Sequence, residues 1–553
     1  MSEEVFDYVI VGAGSAGCVL ANRLSESGKH TVLVLENGGS DRSIWIQMPS
    51  ALSIPMNMPR FNWSYHTEPE PNLNGRRMHT PRGKVLGGSS SINGLVYVRG
   101  NPMDFDGWVD KGAVGWGYRD VLPYFRRAET RFDGGDEYRG DSGPLKTCYG
   151  TLQNPLNAAW LGAGKEAGYA HTEDINGFRQ EGFGRMDMTV DAGRRCSAAN
   201  AYLRPAMRRR NVTVRTGALA TRVVFDGRRA SALQYRVGSH ERRVRVGREL
   251  LVCAGSIASP QLLKLSGVGP ARELQEHGLP VVQDVAGVGE NLQDHLEFYF
   301  QVACTRPVSL YSVLNPWSKA LIGMRWILQK DGLGATNHFE TCGFIRSSAG
   351  VPYPDIQYHF LPMAVAYDGN SLAEEHGFQA HVGPMRSKSR GWVRLASANP
   401  LDKPRILFNY MSHADDWVEM RACVRLTREI FSQRSFDAYR GREIQPGAAV
   451  QSDEAIDAFI RTKVESAYHP SCTCKMGAVD DPMAVVDPQM RLIGLEGIRV
   501  VDSSIMPSIT NGNLNAPTIM IAEKAADHIL GGPLLPASSA SFHTPTDWKS
   551  RQR

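Results

Sequence analysis

The sequence predicts an α/β protein: one parallel sheet assembled from distant segments, with a second lobe built on an antiparallel sheet inserted between them. Three observations predict it. A strand, a glycine loop, a helix and a second strand occupy residues 6–36. Strands of the same buried character recur far along the chain, at residues 212–214, 222–225, 249–253 and 498–501. Between them, residues 339–345, 356–361, 377–382 and 391–395 alternate polar and apolar side chains, as antiparallel strands with one covered face do.

The first unit carries the most chemistry. Residues 6–11 are a β-branched and aromatic run of strand length. Gly12-Ala13-Gly14-Ser15-Ala16-Gly17 follows, and residues 18–27 read as a helix, with Val19, Leu20 and Leu24 on one face and Gly28 at its end. Residues 31–35 form a second strand closing on Glu36. This is the dinucleotide fingerprint in its required setting. Gly12 makes the tight turn, Gly14 admits a pyrophosphate, and Gly17 lets helix pack on strand. Ser15 opens a helix whose amides face the phosphates. Glu36 is placed to accept hydrogen bonds from a ribose diol. Whether the dinucleotide is NAD or FAD stays open at this point.

A chain of 553 residues is too long for one simple core. Its 62 basic and 57 acidic residues leave only +5, too mild a charge to argue for nucleic acid. No run of eighteen apolar residues suggests a membrane span. The acidic start leads directly into a strand, unlike a signal peptide. These features point to the cytoplasmic side and leave peripheral contact with the inner membrane open. Nine scattered cysteines have no disulfide spacing. Cys472 and Cys474 lie near His469, but no second cluster with ligand spacing accompanies them, so no metal site is expected.

After Glu36 the chain leaves regular βαβ alternation. The loop Arg82-Gly83-Lys84-Val85-Leu86-Gly87-Gly88-Ser89-Ser90-Ser91-Ile92-Asn93-Gly94 is dense enough in glycine and small hydroxyls to lie against a ligand. Asp226-Gly227 marks a hairpin. Residues 417–432 read as a helix, as does the stretch that Asn515-Ala516-Pro517 starts and that runs to Ile529, with Asn515 as N-cap and Pro517 in the first turn. The Ser-, Pro- and Lys/Arg-rich residues 536–553 read as a mobile tail.

Three stretches together resemble the glucose–methanol–choline flavoprotein oxidoreductases: the Gly12 fingerprint, the Arg82–Gly94 loop, and the run from Gly255-Ser256-Ile257-Ala258-Ser259-Pro260 to Gly267-Val268-Gly269. The resemblance runs to about Gly532. It implies a Rossmann-like FAD-binding domain of discontinuous segments (1–157, 198–307 and 466–535) and an inserted substrate domain (158–197 and 308–465). It places FAD against the fingerprint residues and Arg82, Gly87, Gly88, Asn93, Gly94, Val223, Ala254, Gly255, Asp502, Asn513 and Asn515. Where choline oxidases of the family tether FAD through a histidine, this chain has Ile92, so a non-covalent cofactor is expected.

Within the family, Asn337-His338-Phe339-Glu340, residues 357–362 and 511–516 liken the chain to bacterial members that dehydrogenate choline. That likeness implies oxidation of choline to betaine aldehyde, with onward oxidation to glycine betaine through the aldehyde hydrate open. Flavin N5 takes the hydride, and electrons pass to a respiratory quinone or another acceptor. His469 is the expected base and Asn513 the group that orients the alcohol oxygen. A quaternary ammonium has no N–H to donate, so its recognition calls for a carboxylate and aromatic faces, for which Glu340, Tyr468 and Trp63 are the candidates. His338, His359 and His376 are expected to act structurally or behind the site. The alternative is a dehydrogenase of uncharged primary alcohols, because the flavin motifs are shared.

Overall fold

A computed structural model of the chain describes residues 3–365 and 375–553. Val5–Val11 and Val32–Glu36 lie side by side in parallel, with Val9 opposite Leu33, and Val212–Thr216 extends the ladder beyond them. On the other side Val5–Val11 pairs with His240–Val252, which serves two further partners. Its first half runs antiparallel to Arg229–Val237, which folds back from Ala218–Asp226 at the expected Asp226-Gly227 turn. Its last three residues pair in parallel with Ile498–Val500. Val9, Ile10, Leu33, Val34, Leu250 and Leu251 are all fully buried, as strands covered on both faces require.

The fingerprint helix spans Ser15–Ser25, beginning three residues before its apolar periodicity because the glycine loop itself supplies the first turn. It packs against the last helix, Asn515–Leu530. Buried Glu523 joins them, accepting from Arg23 Nε at 2.9 Å, Arg127 Nε at 2.8 Å and the Tyr202 hydroxyl at 2.8 Å. Asn515 is not the N-cap. Leu514 holds that position, and the Asn515 side-chain oxygen accepts the Ser15 hydroxyl at 2.7 Å, tying the two helix starts together.

The second sheet is antiparallel, ordered Arg440–Gln445, Leu296–Cys304, Gly377–Pro384, Ile356–Leu361, Thr341–Ile345 and Gly182–Arg185. Leu296–Cys304, expected with the cofactor-binding segments, is a central strand here. Trp392–Arg394, expected in this sheet, pairs instead with Arg405–Leu407 in a separate two-stranded ladder. A single covered face was also expected, yet these central strands are buried on both. Tyr358, Phe360 and Phe378 face an aromatic core. In it Trp160 of the Pro155–Glu166 helix stacks on Phe360 at 5.1 Å and meets Phe431 of the Ala414–Phe431 helix. Deleting such an indole costs about 3–5 kcal/mol. The alternate residues are polar because they line a cavity between the two sheets.

The tail is not free of the body, contrary to its composition. The Ser538 N–H donates to the Arg119 carbonyl, Phe542 meets Tyr118 edge-on at 5.5 Å, and the Gly350 N–H donates to the Trp548 carbonyl. Arg553 pairs with Glu429 at 2.9 Å. Phe542 and these backbone and ionic contacts outweigh the polar composition around them.

Candidate active site

The cavity, of about 660 Å³, opens at the carboxyl ends of the parallel strands, where Val11, Glu36, Cys253 and Asp502 sit. Three helix starts reach it, Ser15–Ser25, Gly255–Leu265 and Asn515–Leu530, and none is capped by the side chain of its own N-cap residue. Their amides make it a site for negative charge. The glycines are demanded by backbone contact. A Cβ on Gly12 would lie 2.6 Å from the Cys253 oxygen, on Gly17 1.9 Å from the Gly12 oxygen, and on Gly88 2.7 Å from the Gly14 Cα.

Gly12, Gly14, Ser15, Glu36, Arg82, Gly88, Asn93, Gly94, Ala254, Gly255, Asp502 and Asn515 line this cavity together. Glu36 is buried and accepts from the Ala13 N–H at 3.0 Å and the Gly38 N–H at 2.7 Å; burial pushes its carboxyl up to about 7. Asp502 accepts from the Gly255 N–H and the Ser259 hydroxyl, fixing the start of the second helix. Gly17 and Gly87 stand behind the wall and shape it. Val223 does not reach the cavity: it is buried in the core and its N–H donates to the Ser266 hydroxyl at 2.8 Å, while Ala218, Leu219 and Ala220 of the same strand line the wall.

At the other end of the cavity lies a chain of histidines. The Nε2 of His295 stands 3.0 Å from the Met385 carbonyl oxygen, which can only accept, so that nitrogen carries the proton. Burial pushes His295 down to about 4, so the ring is neutral and its Nδ1 is a bare lone pair. The Nδ1 of His469 faces that lone pair at 3.0 Å and must donate to it. The His469 Nε2 is therefore unprotonated, and the Asn513 amide donates to it at 3.1 Å. The Asn513 oxygen meets His359 Nε2 at 3.2 Å and Gln357 Nε2 at 3.4 Å. Burial, then the neighbouring His295, His359 and Arg82, holds His469 well below the ordinary histidine value.

Asp294 holds this imidazole in place. Its carboxylate accepts the backbone N–H groups of His295 and His469 on one oxygen and the hydroxyls of Tyr410 and Ser466 on the other. Arg82 braces the same loop from below, donating to the Tyr468 carbonyl at 2.5 Å; burial lowers its guanidinium to about 10. Tyr468 itself has φ +65°, a left-handed conformation that a bulky residue adopts only when its surroundings impose it.

One row across three strands completes the wall: Tyr299 opposite His381, and His381 opposite His359. His381 Nδ1 donates to the Glu297 carboxylate at 3.0 Å, and Glu297 lines the cavity with Trp63, Tyr65, Tyr299, Phe339 and Tyr468. Glu340 does not. Its carboxylate accepts from the Leu152 N–H at 2.7 Å and the Thr336 hydroxyl at 3.2 Å, on the side of residues 150–157 and outside the cavity lining. His359, expected behind the site, touches Asn513 in it; His376 is outside, bonded to Ser309. Of the residues that sequence reasoning missed, Asp294, His295, Glu297 and His381, Glu297 had a signal. Leu296, Phe298, Phe300 and Val302 alternate with Glu297, Tyr299 and Gln301, which set three polar groups on one face.

The chain matches the GMC oxidoreductase family over residues 6–297 and again, for its C-terminal part, over residues 387–522. It belongs to this family. Oxygen-dependent choline dehydrogenase of Brucella suis biovar 1 is 59% identical over 99% of this chain and 100% of its own length. That of Photobacterium profundum is 57% identical over 99% and 97%. Among solved structures, pyridoxine 4-oxidase from Mesorbium loti superposes with TM-score 0.86 at 31% identity, covering 96% of this chain and 100% of that one. Formate oxidase of Aspergillus oryzae RIB40 gives 0.89 at 25%, covering 96% and 99%.

GMC oxidoreductases bind FAD, and the cavity fits it. Bare glycine floor, the amides of the Ser15 and Asn515 helix starts and a buried carboxyl at the second strand's end suit pyrophosphate and ribose, and the histidine end suits the reacting ring. Among the described residues no group of His, Cys, Asp and Glu could hold a metal ion.

Proposed function

We propose that this GMC oxidoreductase oxidises choline to betaine aldehyde, and the aldehyde hydrate onward to glycine betaine, passing the electrons to a respiratory quinone. The observation that carries this reading is Glu297: a carboxylate in an aromatic-walled cavity that also holds His469 and Asn513. A trimethylammonium group is attracted by a carboxylate and by aromatic faces, and demands no acceptor for an N–H. The names its relatives carry support the same substrate.

Bound FAD supplies a two-electron acceptor for the hydride of the alcohol carbon. The chain supplies the rest. Asn513 orients the hydroxyl beside the unprotonated Nε2 of His469, which takes its proton. The Nδ1 proton of His469 stays in its hydrogen bond to His295, and the Asn513 amide N–H, which meets Nε2 in the free protein, turns to the substrate oxygen as Nε2 takes the proton. The start of the Asn515–Leu530 helix presents positive amides to charge that develops on the cofactor side. We assign FAD a non-covalent hold at Ile92, a buried side chain packed on Ile46, Met56, Phe61 and Val85 with no atom able to bond it. In the same reading residues 1–157, 198–295 and 466–535 hold the cofactor. Residues 158–197 and 296–465 hold the substrate, and the enzyme works peripherally at the cytoplasmic face of the inner membrane.

The test is turnover by the purified protein. Choline with an artificial dye as acceptor should yield betaine aldehyde with little peroxide. Peroxide formed in step with choline consumption overturns the quinone part; absence of choline turnover overturns the substrate.

A further inference from the structure

We propose that the Pro316–Gln329 helix and the adjoining stretch around Trp45 and Ile54 form a docking surface for an anionic phospholipid bilayer. The proposal deepens the peripheral location proposed above and names the surface that would provide it. Trp317, Leu321, Met324 and Leu328 follow one another at intervals of four, three and four residues, so they form one stripe along the helix. They are 82%, 64%, 57% and 74% exposed. A helix facing water carries charged residues along such a stripe. This one is held to the body by its opposite side, where buried Trp326 donates its indole N–H to the Gly193 carbonyl at 2.7 Å and packs on Met48 and Ala51.

The apolar surface continues beyond the helix. Leu333 follows in the 3-10 turn Gly332–Ala335, which packs against the helix and against the Pro49–Ala51 turn. Ile44, Trp45 and Ile54 are exposed on the segments around that turn. Exposed cations stand on these segments, Lys319 on the helix and Arg42 and Arg194 beside it, while Arg325 is paired with Asp331 and Lys330 turns back onto the Trp326 ring. The acids there are Asp331, paired with Arg325, and Asp191. An apolar face with interfacial tryptophans and a cationic border matches the headgroup region of an anionic leaflet.

The helix has 14 residues, too few to span, so it would lie in the plane of the bilayer. A second copy of the chain is a poorer partner, because a two-fold contact would bring the cationic border against itself. Leu52 and Met56, flanking Ile54, line the active-site cavity. The docked bilayer would therefore adjoin a wall of that cavity, where an acceptor dissolved in lipid has a short path.

Flotation of the FAD-loaded full chain with vesicles tests this. Vesicles of phosphatidylcholine and phosphatidylglycerol at about 3:1 should carry most of the protein, and pure phosphatidylcholine or about half-molar salt should carry several-fold less. Leu321→Ser/Leu328→Ser and Lys319→Glu/Arg194→Glu should each lower binding at least about tenfold. Turnover of choline with a soluble dye should be unchanged in both. Wild-type protein that stays at the bottom, or variants that float as wild type does, overturns the proposal. So does a dimer, measured by light scattering, that Leu321→Ser/Leu328→Ser dissociates. Because flotation and turnover are read separately, a chain that floats but leaves choline untouched contradicts the substrate reading and upholds the docking surface.

Discussion

The backbone N–H of His469 donates to the Asp294 carboxylate at 2.6 Å, so the position of the base is set by a buried acid that never meets the cavity. The same oxygen accepts the His295 N–H, and the other takes two hydroxyls. Hydroxyls can turn and accept; backbone N–H groups cannot. Asp294→Asn can therefore keep its oxygen on the two N–H groups and donate its amide to Tyr410 and Ser466, whereas Asp294→Ala orphans both N–H groups at about 1–3 kcal/mol each. Asp294→Ala should lower kcat about tenfold or more with KM for choline nearly unchanged, and Asp294→Asn should restore most of it. Equal losses in kcat for the two variants would contradict a positioning role.

His469→Ala should lower turnover by about 10²–10⁴-fold, the contribution of a positioned base, while the protein still purifies yellow with FAD. Nearly intact turnover would remove His469 from the reaction.

Glu297→Gln keeps an acceptor for His381 and deletes only the charge. It should raise KM for choline by about ten- to a hundredfold, equivalent to about 1.4–2.8 kcal/mol. The carbon isostere of choline, with a tert-butyl group in place of trimethylammonium, should change by less than about twofold. Glu340→Gln should not discriminate between the two alcohols. Discrimination by Glu340 in place of Glu297 would reverse the assignment of the carboxylates.

Glu36 predicts a pH dependence for cofactor binding. Its carboxyl, raised to about 7 by burial, must be ionised to accept two ribose hydroxyls, so binding expels a proton wherever the free protein holds one. The affinity of the FAD-free protein should thus be full above about pH 7 and weaken as pH falls below it. Glu36→Gln should bind less tightly and lose that dependence. Titrating flavin fluorescence between pH 5.5 and 8.5, a span of about 1.5 units either side, measures both.

The cofactor end was legible because its requirements are local: a turn at Gly12, close packing at Gly17 and Gly88, an acid ending a strand. His469 and Asn513 were legible only by resemblance, since their meeting depends on two loops 44 positions apart. Glu297 lies in a stretch that was not read as a strand, and His359 and His381 were hidden by a wrong inference about solvent. Their strands alternate as though one face were wet, and that face is instead the active-site wall. Glu340 misled for a related reason: it precedes a strand of the same sheet, and its carboxylate is captured by the Leu152 N–H before it can face the cavity. Hydrogen bonding across such distances leaves no periodic trace.

The most direct measurement of the central claim is anaerobic bleaching of the bound flavin by a panel of alcohols. Choline should reduce the flavin with the highest ratio of limiting rate to dissociation constant, well above aliphatic and aromatic alcohols that lack the cationic head. Bleaching by neutral alcohols as efficient as by choline, or none by choline, would contradict it.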